Sequence, residues 1–137
     1  SLPVGAKGRM KLLDTLVIVG ALNPDDVHHK KASGYLDRLG KSAEIAIPDS
    51  TLIEFDLLMK ARNYTEAERE ITWLELSPKM PLGKVVSMSS TALTTASALQ
   101  AEGMGYFDSL VTALAIELGA IVITDDKAIA AKVKSEW

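Results

Sequence analysis

Residues 106–129 read YFDSLVTALAIELGAIVITDDKAI. Phe107, Val111, Leu114 and Leu118 recur on one helical stripe, so the spacing predicts an amphipathic helix over Tyr106 to Leu118. Gly119 terminates it. Ile121 to Ile123 then has the uniformly apolar character of a strand buried on both faces, and Asp126 to Lys134 predicts a last short helix. Acids stand at both junctions. Asp108 lies in the first turn of the long helix, and Asp125-Asp126 follows the strand and Thr124.

The same alternation continues upstream. Lys11 to Val19 gives an apolar strand signal broken only by Asp14 and Thr15, and Leu16 to Leu22 is the longest apolar stretch. Asn23-Pro24-Asp25-Asp26 opens a helix through Leu39, with Asn as cap, Pro in the first turn and two acids at the positive end of the dipole. Gly40 stops it. A strand over Glu44 to Ile47 precedes Pro48-Asp49-Ser50, which opens a helix to about Arg62. Thr65 to Leu76 predicts a third helix, Lys84 to Met88 a strand, and Ser89 or Ser90 the cap of a helix ending at Gln100 or Glu102. Strands alternating with helices predict an α/β fold, a mainly parallel sheet with helices on both faces.

The 137 residues suit a single domain over 11–137, preceded by a loose tail over 1–10 in which Ser1-Leu2 reads as a cloning remnant. With 47% hydrophobic and 24% charged residues the chain is globular, and no apolar run reaches the roughly 18 residues of a membrane span. Ser1 to Arg9 lacks a secretory signal pattern, and the absence of cysteine fits a reducing cytoplasm while removing thiolate metal sites. The formal net charge of −3 argues against generic coating of nucleic acid, but not against cleavage assisted by cations that carboxylates hold.

In an open α/β sheet ligands bind beyond the carboxyl ends of the strands, where Asp14 and Asp125-Asp126 fall. A carboxylate in a buried strand costs several kcal/mol unless it is paired or metal-bound, which gives Asp14 a reason to be there. Either Asp125 or Asp126 could cap the last helix, as could Thr124. At helical spacing Glu54 shares an apolar stripe with Leu57, Leu58 and Ala61, whereas Asp56 faces Lys60 as a solvated ion pair. Asp108 shares its side with the small residues Thr112 and Ala115. Asp37 near Lys41, and Glu66, Glu68 and Glu70 around Arg69, read as surface. Two carboxylates 4 Å apart repel by ~4 kcal/mol at an effective dielectric near 20, so convergent acids need raised pKa values or bound cations. Oxygen-only donors suit Mg²⁺ or Mn²⁺, which activate a water and stabilise both oxygens of an in-line phosphoryl displacement.

Three segments, LLDTLVIVGALNPDDVHHKKA, TLIEFDLLMKA and YFDSLVTALAIELGAIVITDDKAI, resemble the PIN-domain family and its VapC-type ribonuclease toxins and archaeal relatives. The resemblance runs from about Leu12 to Ile129. It implies a three-layer α/β/α sandwich around a mainly parallel sheet of four or five strands. It matches Asp14, Glu54, Asp108 and Asp126 to the family's four catalytic acids, with Asp14, Asp108 and Asp126 on the metal. Asp126 rather than Asp125 is the Asp of its Thr-x-Asp. Thr15, Ser109, Thr124 and Asp125 become supporting residues around the acids. It further implies an RNA substrate, a VapB-type antitoxin and a homodimer, the last through the apolar helix pair around Leu57 to Leu76. Lys30, Lys31, Arg38, Lys60 and Arg62 are candidate phosphate contacts. One departure stands beside Asp14: Leu16 occupies a position where the family often has Asn or Ser, which supports the alternative of a weakly active or inactive module that binds RNA or protein.

Other features carry less. His28 and His29 are adjacent and point apart, unlike the i, i+4 pairs of helical zinc motifs. Gly103-Met104-Gly105 follows no strand and lacks a third glycine. Trp73 among Ile71, Leu74 and Leu76 reads as core or dimer surface. A phosphotransfer domain of haloacid-dehalogenase or receiver type would want Asp-x-Asp after the first strand, or an acid pair before a phosphoacceptor strand, and neither is present.

Overall fold

In the computed structural model, which describes residues 9–137, the first strand is only three residues long. β1 (Lys11–Leu13) ends at Asp14, and the apolar run expected to continue it as a strand forms helix α1 (Thr15–Leu22) instead. A short run of Val, Ile and Leu has the periodicity of neither element, so tertiary packing decides. Here Asp14 caps the helix, and α1 lies buried against α2 (His29–Leu39). Gly20 permits that contact: a Cβ added there would stand 2.9 Å from the Cβ of Ala32.

The helix expected from Asn23 begins six residues later. Asn23 Oδ1 accepts from Asp25 N at 3.0 Å and Asp26 Oδ1 from His28 N at 2.8 Å, so these side chains close turns in place of capping. β2 (Ile45–Pro48) leads into α3 (Asp49–Ala61), and α4 (Glu66–Leu76) opens with a Thr65–Glu68 capping box. Two 3₁₀ turns connect to β3 (Val85–Val86), shorter than expected. Ser89 caps α5 (Ser90–Ala101). α6 (Tyr106–Leu118) and β4 (Ile121–Ile123) have the expected bounds, and Gly119 adopts φ 63° as a left-handed cap. The last helix, α7 (Lys127–Ala130), is only four residues long, because the chain turns back into an unanticipated strand, β5 (Ser135–Glu136).

The five strands are all parallel in the order β3-β2-β1-β4-β5, with Leu13 opposite Ile123 and Leu12 opposite both Ala46 and Val122. Alternate residues separate two cores. Leu13, Ile45, Ile47 and Ile123 pack with α1, α2 and α3 on one face, while Leu12, Ala46 and Val122 pack with α5, α6 and Ile129 on the other. The result is the expected three-layer α/β/α sandwich. Most of the tail expected over 1–10 lies outside the described residues. At its end, Arg9 Nε donates to Gly119 O at 2.9 Å and Met10 packs on the second core. No helix among the described residues is long and apolar enough to cross a membrane.

Candidate functional site

A parallel strand followed by a helix delivers its last residue to the carboxyl edge of the sheet. β1 and β4 are neighbours, so the residues just beyond their carboxyl ends must meet. Asp14 succeeds β1, not within a strand as its sequence context suggested, but as the N-cap of α1 with extended backbone. It is only 7% exposed. Its Oδ1 accepts from Thr15 N at 2.8 Å and its Oδ2 from the Thr124 hydroxyl at 2.7 Å. Both bonds favour the ionised form, yet burial outweighs them, and with the charges of Glu54 and Asp108 it pushes the carboxyl up to about 6.

Thr124, the first residue after β4, serves two acids. Its hydroxyl donates to Asp14 and accepts from Asp126 N at 3.1 Å. Asp126 in turn caps α7, with Oδ1 accepting from Ala128 N at 2.8 Å and Ile129 N at 3.1 Å. Asp125 turns elsewhere, its Oδ2 3.4 Å from His28 Nε2.

Glu54 reaches the same place from α3, which packs between α1 and α6. The Thr15 hydroxyl donates to its Oε1. Burial raises its pKa, against the Thr15 bond, and Asp108 adds to the rise. The stripe expected around it does not hold: Leu57 and Ala61 are exposed, and the buried stripe of α3 is Thr51, Phe55 and Met59. Asp56 makes no pair with Lys60. It accepts from Trp73 Nε1 at 2.9 Å and Arg69 Nε at 3.3 Å, fastening α3 to α4, and Asp37 pairs with Lys79 rather than Lys41. Trp73 stands edge-on to Phe55, which makes it an inner contact of that helix pair.

Asp108 enters in the first turn of α6, raised by burial and then by the charge of Asp126. Ser109 is fully buried, but its hydroxyl is turned away toward α5, donating to Tyr106 O at 2.6 Å and accepting from Gln100 Nε2 at 2.9 Å. Gln100 thus braces the helix end that carries Asp108. No sequence signal marks it, since a glutamine before a Gly-rich break reads as ordinary surface.

The four acids form a chain of mutual repulsion: Asp14 with Glu54 and Asp108, Glu54 with Asp108, and Asp108 with Asp126. Among the described residues none of the four pairs with a Lys, Arg or His. Nor do three His, Cys, Asp or Glu side chains among them gather tightly enough to enclose an ion. Such a donor set, all oxygen and short of positive charge, fits a hydrated Mg²⁺ or Mn²⁺, which takes one or two carboxylates and retains water, better than a closed protein cage. A cavity of about 350 Å³ opens not among the acids but one turn further along α1, lined by Val19, Leu22, Phe55, Met59, Arg62 and Glu75.

The fold has counterparts among known proteins. Among solved structures, FitAcB of Neisseria gonorrhoeae is similar with a TM-score of 0.67 at 22% identity, covering 92% of this chain and 96% of that one. VapBC2 of Rickettsia felis, solved bound to a DNA fragment from its promoter, gives 0.67 at 18% identity over 93% and 98% of the two chains. VapC20 of Mycobacterium tuberculosis, described as a sarcin-ricin-loop-cleaving toxin, gives 0.65 at 16% over 88% and 93%. At these identities the likeness concerns the fold. No curated protein is significantly similar in sequence. The sequence profile of the PIN domain matches residues 11–134, nearly the whole chain, and the chain therefore belongs to the PIN-domain family.

Proposed function

We propose that this protein is a metal-dependent endoribonuclease, the toxin of a toxin–antitoxin pair. The observation that carries the reading is the convergence of Asp14, Glu54, Asp108 and Asp126 at the carboxyl edge of a PIN-domain sheet, where they repel one another and lack a cationic partner. Asp14, Asp108 and Asp126 would hold Mg²⁺ or Mn²⁺, one or two of them directly and the rest through the water that the ion retains. The bound ion supplies an activated water and offsets charge developing on the scissile phosphate. Glu54, whose pKa burial raises, is suited to hold a proton during the displacement, and the Thr15 hydroxyl orients it. The Thr124 hydroxyl keeps the Asp14 and Asp126 junctions in register. Lys30, Lys31, Arg38, Lys60 and Arg62 are proposed to contact the RNA backbone, since none of them pairs with an acid among the described residues.

Leu16 supports a second reading, a PIN module that binds RNA or protein without cutting. Its side chain is half-buried against the α1–α3 core, so it offers no polar group beside Asp14. Asp14→Asn and Asp126→Asn separate the two readings. RNA cleavage and cellular toxicity unchanged by both substitutions would sink the nuclease, and Mn²⁺-soaked crystals should place density among the four carboxylates. A cytoplasmic location and a VapB-type antitoxin belong to the same proposal, supported by toxin–antitoxin assemblies among the similar structures. So does a homodimer through the helix pair around Leu57 to Leu76, where Leu57, Ile71 and Leu74 are 46%, 57% and 67% exposed. A monomer by light scattering at micromolar concentration counts against the dimer.

A further inference from the structure

Asp125 and Asp126 are neighbours, yet Asp126 lies near enough to Asp108 to raise it, while Asp125 Oδ2 stands 3.4 Å from His28 Nε2. What separates them is packing at the sheet edge. β5 pairs with β4, and Thr124 N donates to Glu136 O at 2.9 Å, so Trp137 is delivered beside the loop that carries both acids. Its ring stacks on Tyr35 with centroids 6.0 Å apart, meets His28 edge-on at 5.1 Å and lies 5.4 Å from Lys31 Nζ. Trp137 Nε1, which can only donate, faces His28 Nδ1 at 3.4 Å. Nδ1 is then the acceptor, which places the ring proton on Nε2, and Nε2 faces Asp125 Oδ2 at 3.4 Å. Both separations exceed the usual 2.7–3.2 Å of such bonds, so neither contact holds the ring alone. The main chain of His28 is held separately, its N donating to Asp26 Oδ1 at 2.8 Å and its O accepting from Ala32 N at 2.9 Å, so the ring sits on a fixed backbone between Trp137 and Asp125.

We infer that His28, oriented by Trp137, is a positioning residue that holds Asp125 out of the acidic cluster and leaves Asp126 alone to face Asp108. The inference rests on reading the acids as a metal site. Released from His28, the half-exposed Asp125 carboxylate can swing toward the cluster and add a negative charge where the site carries too many already. A merely loosened loop weakens metal binding. A freed carboxylate tightens it, because affinity for a hard divalent cation rises with the charge of its ligands. The two outcomes have opposite signs.

The test uses His28→Ala, His28→Gln and His28→Ala/Asp125→Asn in the full chain, with Mn²⁺ titrations and ¹⁵N spectra of the indole groups. The chain has two tryptophans, and Trp73, whose Nε1 donates to Asp56 at 2.9 Å, is the internal control. His28→Ala is expected to move the Trp137 indole resonance and not that of Trp73, to tighten Mn²⁺ binding ~10-fold, and to slow RNA cleavage ~10-fold. Asp125→Asn in that background abolishes the tightening. Glutamine, which offers one acceptor and one donor, restores wild-type behaviour in each measurement and keeps the test open if the alanine variant fails to fold. An unmoved Trp137 resonance overturns the relay. Weakened or unchanged Mn²⁺ binding, or tightening that persists without the Asp125 charge, overturns the positioning role. Wild-type protein that binds no Mn²⁺ overturns the metal reading and the positioning with it, while the indole spectra still judge the His28 contact, so the two failures are told apart.

Discussion

Two junctions in this molecule share one local pattern, a parallel strand, an aspartate and a helix, and differ in nearly everything else. After β1, Asp14 caps the eight-residue α1 and is almost wholly buried, its carboxyl pushed up to about 6. After β4, Asp126 caps the four-residue α7 and keeps partial access to solvent. The cap is the same; the covering is not. α1 is wedged between α2 and α3, whereas α7 ends after one turn. A capping interaction and a desolvated carboxylate of raised pKa are therefore compatible in one residue, and burial decides how much of the second character the first acquires.

The comparison breaks most visibly in activity. If both junctions serve the reaction, Asp14→Asn and Asp126→Asn should each lower RNA cleavage on the order of 10²–10³-fold, as loss of one preorganised charged group does. Stability should then separate them. Asp14 is protonated more readily folded than unfolded, so its favourable contribution is complete below pH 3.8 and lost as pH rises through about 6. Asp14→Asn should accordingly be more stable to unfolding than wild type at pH 8, by up to ~3 kcal/mol, with the gap closing toward pH 4. Asp126→Asn should show no such gain, since asparagine caps as well as aspartate. Denaturant curves at three pH values measure both. Metal sharpens the contrast again: Mg²⁺ at 100 times its dissociation constant should stabilise wild type by ~2.7 kcal/mol, and the Asp14 variant by less. Smallest is the effect of Gly20→Ala, which sets a methyl against Ala32 and should cost about 1–2 kcal/mol of stability; an unchanged melting temperature would mean that α1 is not wedged as described.

How far these junctions were legible in the sequence depends on the same difference in covering. The segment from Tyr106 to Ile123 declares itself, because a long helix has room for a periodic stripe, a glycine stop and a uniformly apolar strand. The segment from Lys11 to Leu22 does not. Apart from Lys11, Asp14, Thr15 and Gly20 its residues are all apolar, so strand and buried helix look alike until a partner surface is known. Asp14 drew attention for its cost of burial, and it is buried, though at a strand end. Glu54 drew attention for a stripe that proved exposed; what turns it inward is Thr15, which lies 39 residues away in the chain. His28 escaped because Trp137 lies 109 residues away, whereas the Gln100–Ser109 bond and the β4–β5 pairing are short-range but cross a turn that no periodicity encodes.

The Thr124 hydroxyl has a further consequence, for the order of events in folding. It binds a carboxylate 110 residues earlier, across a pair of parallel strands that cannot form until α6 and β4 have been made. Contacts of such sequence separation carry a large loop-closure entropy and form late. On a ribosome, helices α1 to α5 can be synthesised and begin to pack while the acidic site still lacks one wall. The two aspartate junctions are joined at that late step rather than by degrees, and a chain interrupted before β4 lacks the Asp14–Thr124 contact altogether.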